Sequence, residues 1–150
     1  MFNKNTQKKT KATRIDTLIG HGTHIKGDIS FSGGLRIDGR VTGNIGASGE
    51  TKSVLTLSEK SIIEGEIRVP NLIVNGTITG NVYSSQHIEL ATNAKINGNV
   101  YYHLLEMVTG SQVNGQLIHV EDDDAIISVE HEASGTQDDA LQLENKDNLD

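Results

Sequence analysis

The sequence predicts an all-β fold, a parallel β-helix of about six coils, and three observations point to it. A five-residue phrase (aliphatic, any residue, Gly, any residue, aliphatic) recurs from Ile25 to Leu117. Its glycines, Gly27, Gly43, Gly65, Gly80, Gly98 and Gly115, step by 16, 22, 15, 18 and 17 residues; self-similarity at such a period is the mark of a solenoid. A second phrase keeps the same beat: Leu35-Arg36-Ile37, Leu55-Thr56-Leu57, Leu72-Ile73-Val74, Ile88-Glu89-Leu90 and Leu105-Glu106-Met107 follow successive glycines by 8, 12, 7, 8 and 7 residues. Within each coil the aliphatic residues alternate with other residues, as in Leu35, Ile37, Val41 and Ile45, and period-two alternation rich in β-branched residues signals half-buried strands.

Taken in order, residues 1 to 14 carry five basic groups and no acid, the pattern of a solvated, disordered tail. The β-helix is expected over residues 15–120, with three short strands per coil separated by corners. Ile25-Lys26-Gly27-Asp28-Ile29 and Val41-Thr42-Gly43-Asn44-Ile45 give the first two phrases, and the polar stretch Gly46 to Lys52 is expected to bulge out of the second coil, which explains the steps of 22 and 12. Ile63 to Ile67, Ile78 to Val82, Ile96 to Val100 and Val113 to Leu117 supply the remaining four. Pro70, the one proline, suits a corner, where no ladder donor is lost. Residues 121 to 150 carry eleven acids against Lys146, a second disordered tail. Asn75-Gly76, Asn97-Gly98 and Asn114-Gly115 are also hairpin-turn dipeptides, but separate hairpins need no common register over ninety residues.

A solenoid leaves a ring of apolar side chains and a row of unpaired backbone groups on each terminal coil. Ile25, Ile29 and Leu35 at one end, and Leu105, Met107, Val113 and Leu117 at the other, are therefore the expected contacts with further copies of the chain. End-to-end stacking that does not close gives a filament. The alternative is that the flanks fold over the ends, with Ile15, Leu18 and Ile19 at one side and Ile118 and Val120 at the other.

The run Gly33-Gly34-Leu35-Arg36-Ile37-Asp38-Gly39-Arg40-Val41-Thr42-Gly43-Asn44-Ile45, the repeated coils and the Met1-Phe2 start with its lysines together resemble the bactofilins over residues 1 to about 120. The resemblance implies a right-handed parallel β-helix that polymerises end to end, without nucleotide, into non-polar filaments of the bacterial cytoskeleton. It implies service in cell shape and wall synthesis, with cell-wall synthesis or remodelling proteins as partners beside the chain itself. It also implies a bulky apolar residue in the last coil that supports polymerisation, a place held here by Val113.

Met1 and Phe2 followed by Lys4, Lys8, Lys9 and Lys11 place an apolar tip on a polybasic stem. Each basic residue near an anionic leaflet contributes about 1 kcal/mol, and many such tips on one filament would bind by avidity. The inner face of the cytoplasmic membrane is the expected partner, and the bactofilin resemblance implies the same use. Phosphates of nucleic acid attract lysines too, but no interleaved aromatics or groove accompany them, so no nucleic acid is expected.

Catalytic chemistry finds little support. Gly46 to Ser53 nearly spells a P-loop, but Thr51 stands where the second glycine belongs and no helix pattern follows. His87, His103 and His119 are spaced 16 and 16, but their offsets of 7, 5 and 4 from the preceding glycines put them out of register for a metal column. The enzyme rival is the left-handed β-helix of hexapeptide acyltransferases and related carbonic anhydrases, whose strict multiples of six the steps of 15, 16 and 17 break. No cofactor, metal or catalytic residue is expected. Cysteine is absent, which fits a reducing compartment. The start lacks a signal-length apolar run and no segment approaches the ~20 apolar residues of a membrane span, so a cytoplasmic location is expected.

Overall fold

The computed structural model describes residues 14–48 and 52–121, and among them every regular element is a strand. The strands run three to a coil. The first coil holds β1 (Thr17–Ile19), β2 (His24–Lys26) and β3 (Ile29–Phe31), and the second β4 (Gly34–Ile37), β5 (Arg40–Thr42) and β6 (Ile45–Ala47). In the third, β7 (Val54–Leu57) and β8 (Ile62–Glu64) are followed by the first half of β9 (Ile67–Val74), whose second half opens the fourth. Strands β10 (Thr77–Thr79), β11 (Val82–Leu90), β12 (Lys95–Asn97), β13 (Val100–Met107), β14 (Gln112–Asn114) and β15 (Leu117–His119) complete six coils in the same manner.

Among the described residues every pairing is parallel and joins equivalent positions of successive coils. One face is the six-stranded sheet β2-β5-β8-β10-β12-β14, with Ile25, Val41, Ile63, Ile78, Ile96 and Val113 in a single column. The other two faces form a nine-stranded sheet, because β9, β11 and β13 bend continuously around the corner between them. Pro70 sits at that bend: Val69 pairs with Ser84 and Asn71 with His87, so the proline has no ladder partner and its missing N–H costs nothing. The register shifts by one residue after Ser84, a bulge, and the buried Ser84 hydroxyl donates to the Pro70 carbonyl at 3.0 Å.

Alternation on each strand turns one aliphatic set inward. Ile37, Leu55, Leu57, Ile63, Ile67, Leu72, Ile78, Ile88, Leu90 and Ile96 are fully buried, each stacked on its equivalent one rung away. The insertion is narrower than its composition suggested. Gly46 and Ala47 belong to β6, Ser48 still donates its N–H to the Phe31 carbonyl at 2.8 Å, and the extra residues lie between Ser48 and Val54, with Gly49, Glu50 and Thr51 outside the described residues.

The phrase glycines form their own column at the corner after the six-stranded face. Gly43, Gly65, Gly80 and Gly98 have φ between 145° and 156°, and a Cβ on Gly43, Gly65, Gly80, Gly98 or Gly115 would overlap the carbonyl oxygen of the phrase glycine one coil before. Two physical demands, a left-handed backbone and an atom-for-atom approach of main chains, therefore both select glycine. The residue that follows adds a side-chain ladder. The Asp28 carboxylate accepts from Asn44 N–H at 2.9 Å, Asn44 Oδ1 from Glu66 N–H at 2.9 Å, Asn81 Oδ1 from Asn99 N–H at 2.9 Å and Asn99 Oδ1 from Gln116 N–H at 3.0 Å.

Two carboxyls tie early coils together. Asp16 accepts from Gly34 N–H at 2.8 Å, and that backbone bond, helped by Arg14, holds its pKa below the ordinary carboxylate range against a smaller desolvation effect. Glu64 accepts from Arg40 at 2.9 Å and Thr42 at 3.1 Å, and these two bonds lower its pKa likewise. A depressed folded pKa means that the contribution is present above the unfolded value near 4 and is lost as pH falls through the folded one.

Gly65→Ala is expected to destabilise the coil by about 2–4 kcal/mol, read as a lowered denaturant midpoint. Gly22→Ala, where an added Cβ meets open space, should lie within about 1 kcal/mol of the parent; equal effects would remove the special role of the column. On acidification below about pH 4, hydrogen exchange at Thr17–Ile19 should accelerate before exchange at Ile78 or Ile96, since Asp16 holds the first coil to the second.

Candidate functional site

The coil has two ends, and a parallel sheet cannot satisfy its own last strands. Among the described residues, the strands without a further neighbour are β1, β2 and β3 at the first end and the second half of β13, β14 and β15 at the last. Each carries a row of backbone groups directed away from the stack.

At the first end the inward side chains are Thr17, Ile19, Ile25, Ile29 and Phe31, in register with Leu35, Ile37, Val41, Ile45 and Ala47 one rung in. Ile25, Ile29 and Phe31 are partly buried against the core. Leu35 requires a correction: it is 2% exposed, beneath β1, and lies one rung inside the end. The reason is that β1 carries no copy of the glycine phrase, so the first coil begins eight residues before the first recognisable repeat. Of the flank residues, Ile19 closes an inward column and is buried, whereas Ile15 and Leu18 are exposed.

The last end is more apolar at its surface. Leu105 and Val113 are partly buried against the core, while Met107 at 45% and Leu117 at 43% remain exposed on the last rung. Leu104 and Val108 beside them are exposed as well. Four of the seven large apolar residues exposed among the described residues thus lie in the sixth coil; such clustering, unlike scattered exposure, marks an interaction surface. The column after Leu117 ends in His119, whose ring lies 5.4 Å from Tyr102 and 6.1 Å from His103. Gln116, exposed at the foot of the amide ladder, was not singled out by the repeat because its position varies in the phrase among Asp, Asn, Glu and Gln.

The three histidines do not form a column. His87 is in register with Leu104 and its Nε2 is 3.4 Å from Glu106, while His119 is in register with Tyr102. Among the described residues no three His, Asp or Glu side chains converge as a metal site would need. On the outer side of the third face the Arg68 guanidinium lies 3.8 Å over the Tyr83 ring, which stacks on Tyr101 at 4.6 Å and 2°. Burial raises the Tyr83 pKa more than Arg68 lowers it. Nothing in the repeat signalled this ladder, since the outward positions differ from coil to coil. Met1, Phe2, Lys4, Lys8, Lys9 and Lys11 lie outside the described residues. Among the described residues no helix is long and apolar enough to cross a membrane.

The bactofilin family model, described as polymer-forming cytoskeletal, matches residues 17–118, the span of the six coils. Bactofilin BacO of Myxococcus xanthus is 28% identical over 102 residues, 68% of this chain and 78% of that protein. Bactofilin BacP of the same organism is 24% identical over 102 residues, which cover 68% of this chain and 41% of that longer protein. The bactofilin of Thermus thermophilus, reconstructed by cryo-EM as double helical filaments, shares the fold with a TM-score of 0.60 at 23% identity, over 70% of this chain and all of that one. A parallel coil of this register, with the family match running from its first rung to its last, places the chain in the bactofilin family of polymer-forming cytoskeletal proteins.

Proposed function

We propose that this chain is a filament subunit that joins other copies through the ends of its coil, and that its basic start holds the filament at the inner face of the cytoplasmic membrane. There it would scaffold the enzymes and remodelling proteins of cell shape and wall synthesis. The observation that carries the polymer reading is the sixth coil, where Met107 and Leu117 stand exposed above strands that have one neighbour each among the described residues. A further coil stacked there would cover the apolar ring and pair the backbone in one step, with no nucleotide chemistry. The filaments of the Thermus thermophilus relative support assembly by a coil of this fold. The tether rests on Met1, Phe2 and the four lysines that follow, each basic residue contributing about 1 kcal/mol at an anionic surface.

Electron microscopy of the full chain in nucleotide-free buffer is expected to show filaments; discrete small particles across salt conditions would overturn the reading. Leu117→Arg should raise the critical concentration for sedimentable polymer at least about tenfold, since a charge buried without a partner costs more than 1.4 kcal/mol. Ile62→Arg, on the outer side of the mid-coil sheet, should leave that concentration unchanged. Removal of residues 2–8 should lower co-sedimentation with phosphatidylglycerol vesicles by at least about tenfold and spare polymerisation; undiminished lipid binding would exclude the tether.

A further inference from the structure

The corners that enter the six-stranded face alternate in length over the first five coils, and coil six repeats the four-residue corner of coil five at Val108 to Ser111. Coils one, three and five turn through four residues, Gly20 to Thr23, Ser58 to Ser61 and Ala91 to Ala94, each closed by a backbone bond of 3.0–3.1 Å between its ends. Coils two and four turn through two, Asp38-Gly39 and Asn75-Gly76. The ladder aligns the ends of every corner, with Asp38 N–H on Ile19 and Ile62 N–H on Gly39, so the middle pair of each long corner protrudes and a notch lies over each short one.

The two notches are equivalent by register and opposite in chemistry. Over coil four, Asn93 spans the gap: its N–H donates to Asn75 Oδ1 at 2.9 Å and its Nδ2 donates to Glu59 Oε1 at 3.1 Å, two coils away. Over coil two, Lys60 stands in the place of Asn93 and His21 in the place of Glu59. No hydrogen bond joins these two side chains across the gap. The notch remains open as a cavity of about 330 Å³ lined by His21, Arg36, Asp38, Ser58, Glu59 and Lys60. Both of its carboxylates have partners: Asp38 accepts from Arg36 Nε at 2.8 Å and Glu59 accepts from Asn93. The Asp38 bond fixes the guanidinium while leaving its terminal nitrogens available, and the Arg36 side chain is 41% exposed.

We infer that this notch is a binding site for the oxyanion group of a small phosphate compound, held by Arg36 at the floor and by Lys60 and His21 from the two walls. The anion takes the bridging role that the Asn93 side chain plays over coil four. A planar guanidinium favours paired bonds to an oxyanion, and the volume admits a phosphate ester as well as the free ion.

Equilibrium dialysis of the full chain at ~150 mM salt, where loose surface charge is screened, with inorganic phosphate and glycerol phosphate as separate probes, tests it. Saturable binding near one anion per chain is expected for at least one probe, and tighter binding of the ester would identify an organic phosphate as the ligand. Lys60→Gln and His21→Gln should each weaken binding at least about tenfold, and Lys95→Gln, on the flat sheet, should not. The pair His21→Glu with Lys60→Asn should rebuild the closed form of the other notch and abolish binding at undiminished thermal stability. Absence of saturable binding by both probes, or unchanged binding by Lys60→Gln, would overturn the assignment.

Discussion

The interaction on which the structure depends is the contact between main chains at the phrase-glycine corner. Adjacent strands in a sheet stand about 4.8 Å apart, and a three-sided coil keeps that spacing around its full perimeter only if its corners stack as closely as its faces. At Gly65 and Gly80 no side-chain atom fits between one rung and the carbonyl of the rung before. The glycine column therefore sets the register, and the register aligns the aliphatic columns. Leu55, Leu72 and Ile88 can each fill the space left by the last because the corner does not let the coils slip.

Much of this was legible because the constraint acts on single residue types. Only glycine meets the corner's demand, and only aliphatic residues fill the fully buried columns around Ile63, Ile78 and Ile96, so both leave a periodic trace. The first coil was harder to see. Its β1 carries Thr17 where later coils carry Leu or Ile, and the rung had to be found by pairing rather than by pattern. That one rung moved Leu35 from the end to the interior. The side-chain ladder was hidden for another reason: Asp28, Asn44, Asn81 and Asn99 differ as letters but each presents an oxygen to the next rung, while Glu66 at the same position turns to Arg68.

The outward positions obey no such constraint, which is why the coils differ there and why any chemistry specific to this chain must lie there. Arg40, Thr42 and Glu64 form one local network, Arg68, Tyr83 and Tyr101 another. The unequal corners extend the same logic. A repeat fixes what stacks and leaves free what protrudes, so His21, Glu59 and Lys60 can depart from symmetry without disturbing the rungs beneath them.

The same physics makes the ends unequal to the middle. An interior rung of this coil gains about 2 kcal/mol from each buried aliphatic side chain and has strands paired on both sides, whereas the last rung has Met107 and Leu117 half in water and, among the described residues, strands paired on one side only. Covering that ring with the corresponding ring of another copy would recover several such contributions, on the order of 10 kcal/mol when both surfaces are counted, against an association cost of about 4–15 kcal/mol. Those magnitudes are comparable, so side-chain burial alone leaves an end contact marginal, and the backbone pairing of the edge strands decides the balance. A subunit joined in this way adds or leaves according to its concentration, without a nucleotide to drive either step, and a single charge within the ring is enough to reverse the sign.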